Sequence, residues 1–212
     1  IALAKEGAPY DAKTEKMLAE IKKIDHQKTD TAIEALILES QLIKKYEPPY
    51  NAKEKDDKSF LYVEITKEKF PRVLLVRGKS KPEGERFGPF TSATSIREAM
   101  RIIRKIFPFH VHPSTQLGAS PSGKSKRLYP ERSRRACFDY ELGLCPGTCA
   151  GLINRTDYLK TIRNIKLFLR GKKKLLLKKL EAEMKTTSKK LEFEKAEKLR
   201  RQIFALRHIQ DA

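Results

Sequence analysis

Residues 59–78 read SFLYVEITKEKFPRVLLVRG. Two short runs rich in β-branched and aromatic residues flank KEKFP, a pattern that predicts an antiparallel strand pair. ERFGPF, residues 85–90, supplies a third short strand. The period then changes. In SATSIREAMRIIRKIF, residues 92–107, Ile96, Met100, Ile103 and Phe107 fall near one face, as in a helix packed on that sheet. With further helices on either side, the expected class is α+β.

Upstream, DAKTEKMLAEIKKIDH carries Met17, Leu18, Ile21 and Ile24 at helical spacing, with Thr14 as a candidate cap. TAIEALILESQLIKKYEPPYN predicts a second helix that buries Ile33, Leu36, Ile37, Leu42 and Ile43 and ends at Pro48 and Pro49. Glu39 falls among apolar neighbours, where a lone carboxylate is costly unless paired, metal-bound or turned outward. Outward is the usual arrangement.

Downstream, residues 113–135 are rich in Ser, Pro, Gly and basic side chains, the composition of an exposed cationic loop. The segment 172–209, KKKLLLKKLEAEMKTTSKKLEFEKAEKLRRQIFALRHI, has two apolar stripes. Leu176 or Leu177, Leu180 and Met184 form one; Phe193, Ala196, Leu199, Ile203 and Leu206 form the other. A turn near TTSKKLEF folds the two helices into an antiparallel hairpin. Two helices cover little apolar surface between them, so the second stripe is expected to bind a partner; the alternative is packing on this chain's own middle region.

The 212 residues contain 46 Lys plus Arg against 27 Asp plus Glu, a net charge of +19. Such an excess calls for a polyanionic partner. Without a long apolar segment, that partner is nucleic acid rather than membrane. Lys124, Lys126, Arg127, Arg132, Arg134 and Arg135 crowd one stretch and are expected to hold phosphates without sequence preference. The chain does not begin with methionine, so upstream sequence is expected.

All three cysteines, Cys137, Cys145 and Cys149, lie in RRACFDYELGLCPGTCAG. An odd count with no apolar leader points to a reduced, cytoplasmic protein rather than a disulfide framework. The turn at Pro146 and Gly147 can aim two thiolates at one ion, and His110 or His112 is a candidate further ligand. Packing of small buried thiols is the alternative.

Taken in order, AKTEKMLAEI, IEALILESQLIKKYEPPYNAKEKDDKS, FPRVLLVRG, RFGPF, IFPF, RRACFDYELGLCPGTCAGLI and LEFEKAEKLRRQI resemble UvrC, the nuclease subunit of bacterial nucleotide excision repair. The resemblance covers essentially the whole chain. It implies the C-terminal part, or remnant, of a GIY-YIG nuclease domain at 1–58, a middle region with a small antiparallel sheet, helix and cysteine-bearing metal site at 59–152, a helical connector at 153–171, and a UVR hairpin at 172–208 that docks on UvrB. Damaged double-stranded DNA is the implied second partner. Glu39 matches the family's metal-binding glutamate, for Mg or Mn, and Asn51 its active-site asparagine. The strands that bear the GIY-YIG tyrosines and arginine belong before KTEKML and are absent from this sequence, so the chain alone is expected not to incise DNA. A non-catalytic UvrB-binding adaptor with a basic DNA-binding surface is the alternative. The family has four cysteines at the metal site, and His112 stands where the first falls. The resemblance therefore implies a Cys3His site of His112, Cys137, Cys145 and Cys149, holding an iron–sulfur cluster or, alternatively, zinc.

Overall fold

The computed structural model describes residues 12–51, 60–78, 82–112 and 136–209. Along the chain the elements are α1 (Ala12–Glu20), α2 (Ala32–Tyr46), β1 (Leu61–Thr66), β2 (Val73–Arg77), β3 (Gly84–Phe90), α3 (Ala93–Ile106), the short α4 (Phe138–Glu141), α5 (Arg155–Leu169), α6 (Lys173–Lys189) and α7 (Phe193–Arg207). The class is α+β.

The three strands form one antiparallel sheet in the order β2-β1-β3. Val63 on the central strand stands opposite Leu75 on one side and Phe87 on the other. β1 is almost wholly buried, including Glu64. The Glu64 carboxylate accepts the Glu83 backbone N–H at 3.0 Å and the Arg86 guanidinium, so its charge is paired inside the sheet. Arg86 also donates to the Gly78 carbonyl and lies over the Tyr62 ring. β3 can begin where it does because Gly84 has no side chain: a Cβ there would sit 1.9 Å from the Ile65 carbonyl oxygen.

α3 starts at the Ser92 cap, whose hydroxyl accepts the Ser95 N–H, and buries Ile96, Met100 and Ile103, with Phe107 just past its end. α2 starts at the Thr31 cap, and its apolar stripe Ile33, Leu36, Ile37 and Ile43 packs toward β3 and α3. Leu42, expected in that stripe, is instead 39% exposed, because it lies on the flank of the helix rather than on the inward line. α1 ends at Glu20, so Ile21 and Ile24 are exposed residues outside it, and the helix buries none of its residues.

One hydrophobic core runs from the sheet through α2 and α3 into α5, α6 and α7. This bears on two of the readings above. Residues 153–171 do not merely connect: α5 inserts Tyr158, Ile162, Ile165, Phe168 and Leu169 into the core. The end of α7 does not face outward either. Ile203 is 6% and Leu206 1% exposed, covered by this chain together with Leu176 and Leu180. Gln202 Nε2 also donates to the Ile106 carbonyl at 2.9 Å, fastening α7 to the end of α3. Amphipathic spacing marks the buried face of a helix but not what buries it.

Tyr158 anchors α5. Its hydroxyl accepts the buried His110 N–H at 3.1 Å and donates to the Pro71 carbonyl. Tyr158→Phe strands both backbone groups and is expected to cost about 2 kcal/mol, read from urea denaturation. Burial pushes the phenol pKa above its ordinary value. The stability linked to that raised pKa is therefore complete below about pH 10 and is lost as pH rises further. The phenylalanine variant should lack that component of the alkaline loss. A cost near zero would show that water replaces the hydroxyl.

Candidate functional site

The cysteine segment is shaped by backbone hydrogen bonds. The N–H groups of Leu144 and Cys145 donate to the Asp139 carbonyl at 2.8 and 3.0 Å, folding the chain back after α4. Gly147 follows at φ 80, and the N–H groups of Ala150 and Leu152 converge on its carbonyl. A side chain at Gly147 would be strained at that φ and would meet Leu152 at 2.8 Å. The turn brings the Cys137, Cys145 and Cys149 sulfurs within 4.8 Å of one another, with Cys145 buried and the other two half-buried. Thiolates bound to one tetrahedral ion at about 2.3 Å lie roughly 3.8 Å apart, so this donor set suits a single soft metal centre with little movement. Burial pushes the Cys149 thiol up, and the Cys137 thiol beside it adds to the shift. A bound cation would reverse that preference by stabilising thiolates.

His112 is not drawn into the group of sulfurs. Its Nε2 lies 3.1 Å from Asp139 Oδ2, and Arg104 holds the same oxygen at 2.6 Å. Burial alone would raise the Asp139 carboxyl; the hydrogen bond and charge of Arg104, then those of His112, outweigh it and hold the carboxyl below its ordinary pKa. The carboxylate thus organises the segment from outside the sulfurs. Arg104 adds hydrogen bonds to the Phe109 and Leu144 carbonyls, tying α3 to the cysteine loop. Asp139 and Arg104 were not picked out from sequence; an acid between two metal-ligand candidates was the available signal. His110, the other candidate, is 2% exposed, and its ring nitrogens have no hydrogen-bond partner among the described residues. Burial, then the nearby charges of His112 and Arg72, keep its pKa low and the ring neutral.

Glu39 is exposed on α2, as expected, and accepts the Thr91 hydroxyl at 2.9 Å. It lines an open cleft of about 440 Å³ between α2 and α3, shared with Glu98, Ser92 and Ser95. Asn51 follows α2 in a turn in which its N–H donates to the Pro48 carbonyl at 3.2 Å. Among the described residues, Glu39 belongs to no cluster of three potential metal ligands. The six basic residues between Lys124 and Arg135 lie outside the described residues.

Of the second hairpin stripe, only the N-terminal part is open. Phe193 is 64% exposed, Ala196 and Leu199 are half-buried, and Leu191 before them is exposed. Phe193 and Ala196 line an open groove with Met184 and Arg200. Among the described residues, no helix is long and apolar enough to cross a membrane.

Three family models match the sequence: the UvrC/Cho excinuclease middle domain over residues 60–168, the UvrC-like GIY-YIG domain over 4–52, and the UvrB/uvrC motif over 174–209. Curated relatives named UvrABC system protein C include one from Carboxydothermus hydrogenoformans, 40% identical over 93% of this chain and 30% of its own length. Those from Thermoanaerobacter sp. strain X514 and Moorella thermoacetica are 38% and 34% identical, over 92% and 94% of this chain and 30% and 31% of their own lengths. The chain thus spans under a third of these relatives' length. No solved structure matches it.

Proposed function

This chain belongs to the UvrC/Cho excinuclease family, and from that premise we propose that it is a UvrC-like subunit of nucleotide excision repair that docks on UvrB and holds damaged duplex DNA. The observation that supports docking is the open hairpin tip. A phenylalanine 64% exposed beside Met184 and Ala196 is an apolar anchor without a cover among the described residues, ringed by Lys189, Glu197 and Arg200. DNA holding is supported by the net charge of +19 and by the basic run at 113–135. By resemblance to the family, Glu39 would hold a Mg or Mn ion, which would supply Lewis-acid polarisation of a phosphate oxygen, and Asn51 would lie beside the substrate. The three cysteines hold an iron–sulfur cluster or zinc, and the reduced thiols suit a cytoplasmic location.

Docking is tested by titrating the whole chain and its Phe193→Ala variant against the UvrB C-terminal segment by calorimetry. Loss of the anchor is expected to weaken binding roughly 30-fold, about 2 kcal/mol. Equal affinities would remove Phe193 from the interface, and no binding by the parent chain would remove the docking role.

A further inference from the structure

The helix faces of α3 are sorted by charge. Glu98 faces the α2 cleft, whereas Arg97, Arg101 and Arg104 line a separate groove of about 310 Å³ on the side of edge strand β2. Its apolar surface includes Leu74, Leu75 and Val111, and no carboxylate is among the lining residues. Arg104 is committed to Asp139 and two carbonyls. Arg97 and Arg101 are exposed and have no partner among the described residues. Four residues apart, they stand about 6 Å apart along the helix. The groove ends at the Leu144 side of the cysteine loop.

We propose that this groove binds unpaired nucleotides of a DNA strand, with Arg97 and Arg101 on neighbouring phosphates and bases against Leu74, Leu75 and Val111. The proposal rests on the DNA-holding role above and gives it a site outside the basic run at 113–135. Charge complementarity selects an anion, since two exposed guanidiniums without an ion-pair partner among the described residues border a groove with no carboxylate in its lining. The apolar floor selects the form of that anion. In a duplex the bases are stacked and paired, so only backbone meets a protein groove of this kind, and the leucines and valine would be left facing polar surface. An unpaired strand presents phosphates and apolar base faces together, the combination that single-strand sites take up with cations and apolar platforms. Binding through these contacts carries no base-edge readout, so sequence preference is not expected.

The test uses the full chain with a fluorescent 20-nucleotide single strand and a blunt duplex of equal length, followed by anisotropy across a salt series. Arg97→Ala/Arg101→Ala is expected to weaken single-strand binding by about tenfold and to flatten its slope of log K against log salt by about 1.4, two contacts at about 0.7 each. Leu75→Asn should lower single-strand affinity several-fold at an unchanged salt slope and leave the duplex unaffected. Both changes lie on exposed residues, and circular dichroism checks that the fold is kept. If the parent chain binds DNA but the arginine pair changes neither affinity nor slope, the groove assignment is wrong while DNA holding stands. If the parent binds no DNA, both fall. If an acidic peptide displaces the strand at equal charge concentration while duplex does not, the surface belongs to a protein partner and the proposal is overturned.

Discussion

Replacing Arg86 by alanine is expected to lower stability by about 4 kcal/mol, the range found when one member of a buried ion pair is removed. The Glu64 side chain is 4% exposed and that of Arg86 18%, so the abandoned carboxylate has little water to replace its partner. The Glu83 N–H still donates to it, but a single neutral donor does not balance a full charge. The substitution also removes the hydrogen bond to Gly78 and the cover over Tyr62. Urea denaturation of the parent, Arg86→Ala, and a double variant with Glu64→Leu separates the parts. The double variant should recover much of the loss, because no unpaired charge stays buried. A cost under about 1 kcal/mol for Arg86→Ala would mean that Glu64 reaches solvent or takes up a proton, and that the pair does not hold β1 and β3 together.

Cys145→Ser is expected to abolish metal binding. The parent chain, purified without oxygen, should carry about one metal centre, and the variant should fall to background in iron, sulfide and zinc assays. Cys145 is the buried member of the three, so its loss removes the ligand with least freedom to be replaced by water. Structural metal binding is coupled to folding, so hydrogen exchange over 136–152 should quicken in the variant while the sheet keeps its protection. A parent chain without metal whose exchange equals that of the variant would show that the cysteines are packing residues. Comparison with His112→Ala then asks whether the histidine joins the centre or stays on Asp139: only a ligand should lower metal content.

The strands, α2 and α3 were legible because each writes one period into the sequence and ends at a recognisable signal. The run from Phe60 to Thr66, the helical spacing of Ile96, Met100 and Ile103, and Pro48 are examples. The inner role of α5 was also written, in Tyr158, Ile162, Ile165 and Leu169, but the Lys-rich segment after it reads equally well as a tether. Nothing local distinguishes a tether from a turn whose lysine meets Glu34 across the fold, as Lys173 does at 2.7 Å. Ile203 and Leu206, buried within this chain, illustrate the same limit of pattern: a stripe reports burial, not its partner. The sulfur grouping followed from the turn chemistry at Pro146 and Gly147. The attachment of His112 to Asp139 depends on Arg104, which lies 35 residues before that carboxylate, and no pattern within the cysteine segment contains it.

The shared core between hairpin and sheet has a mechanical consequence. α6 is 17 residues long, roughly 26 Å, with its base set among core side chains and its far end beside Phe193. Gln202 clamps the return helix to the end of α3, and α3 carries Arg97 and Arg101. A protein that grips the tip therefore holds the long arm of a lever whose short arm bears the arginines. If the tip and the groove bind as proposed above, a rotation at the grip would be passed through the shared core toward Arg97 and Arg101, and a strand held there would be steered from the far end of the molecule.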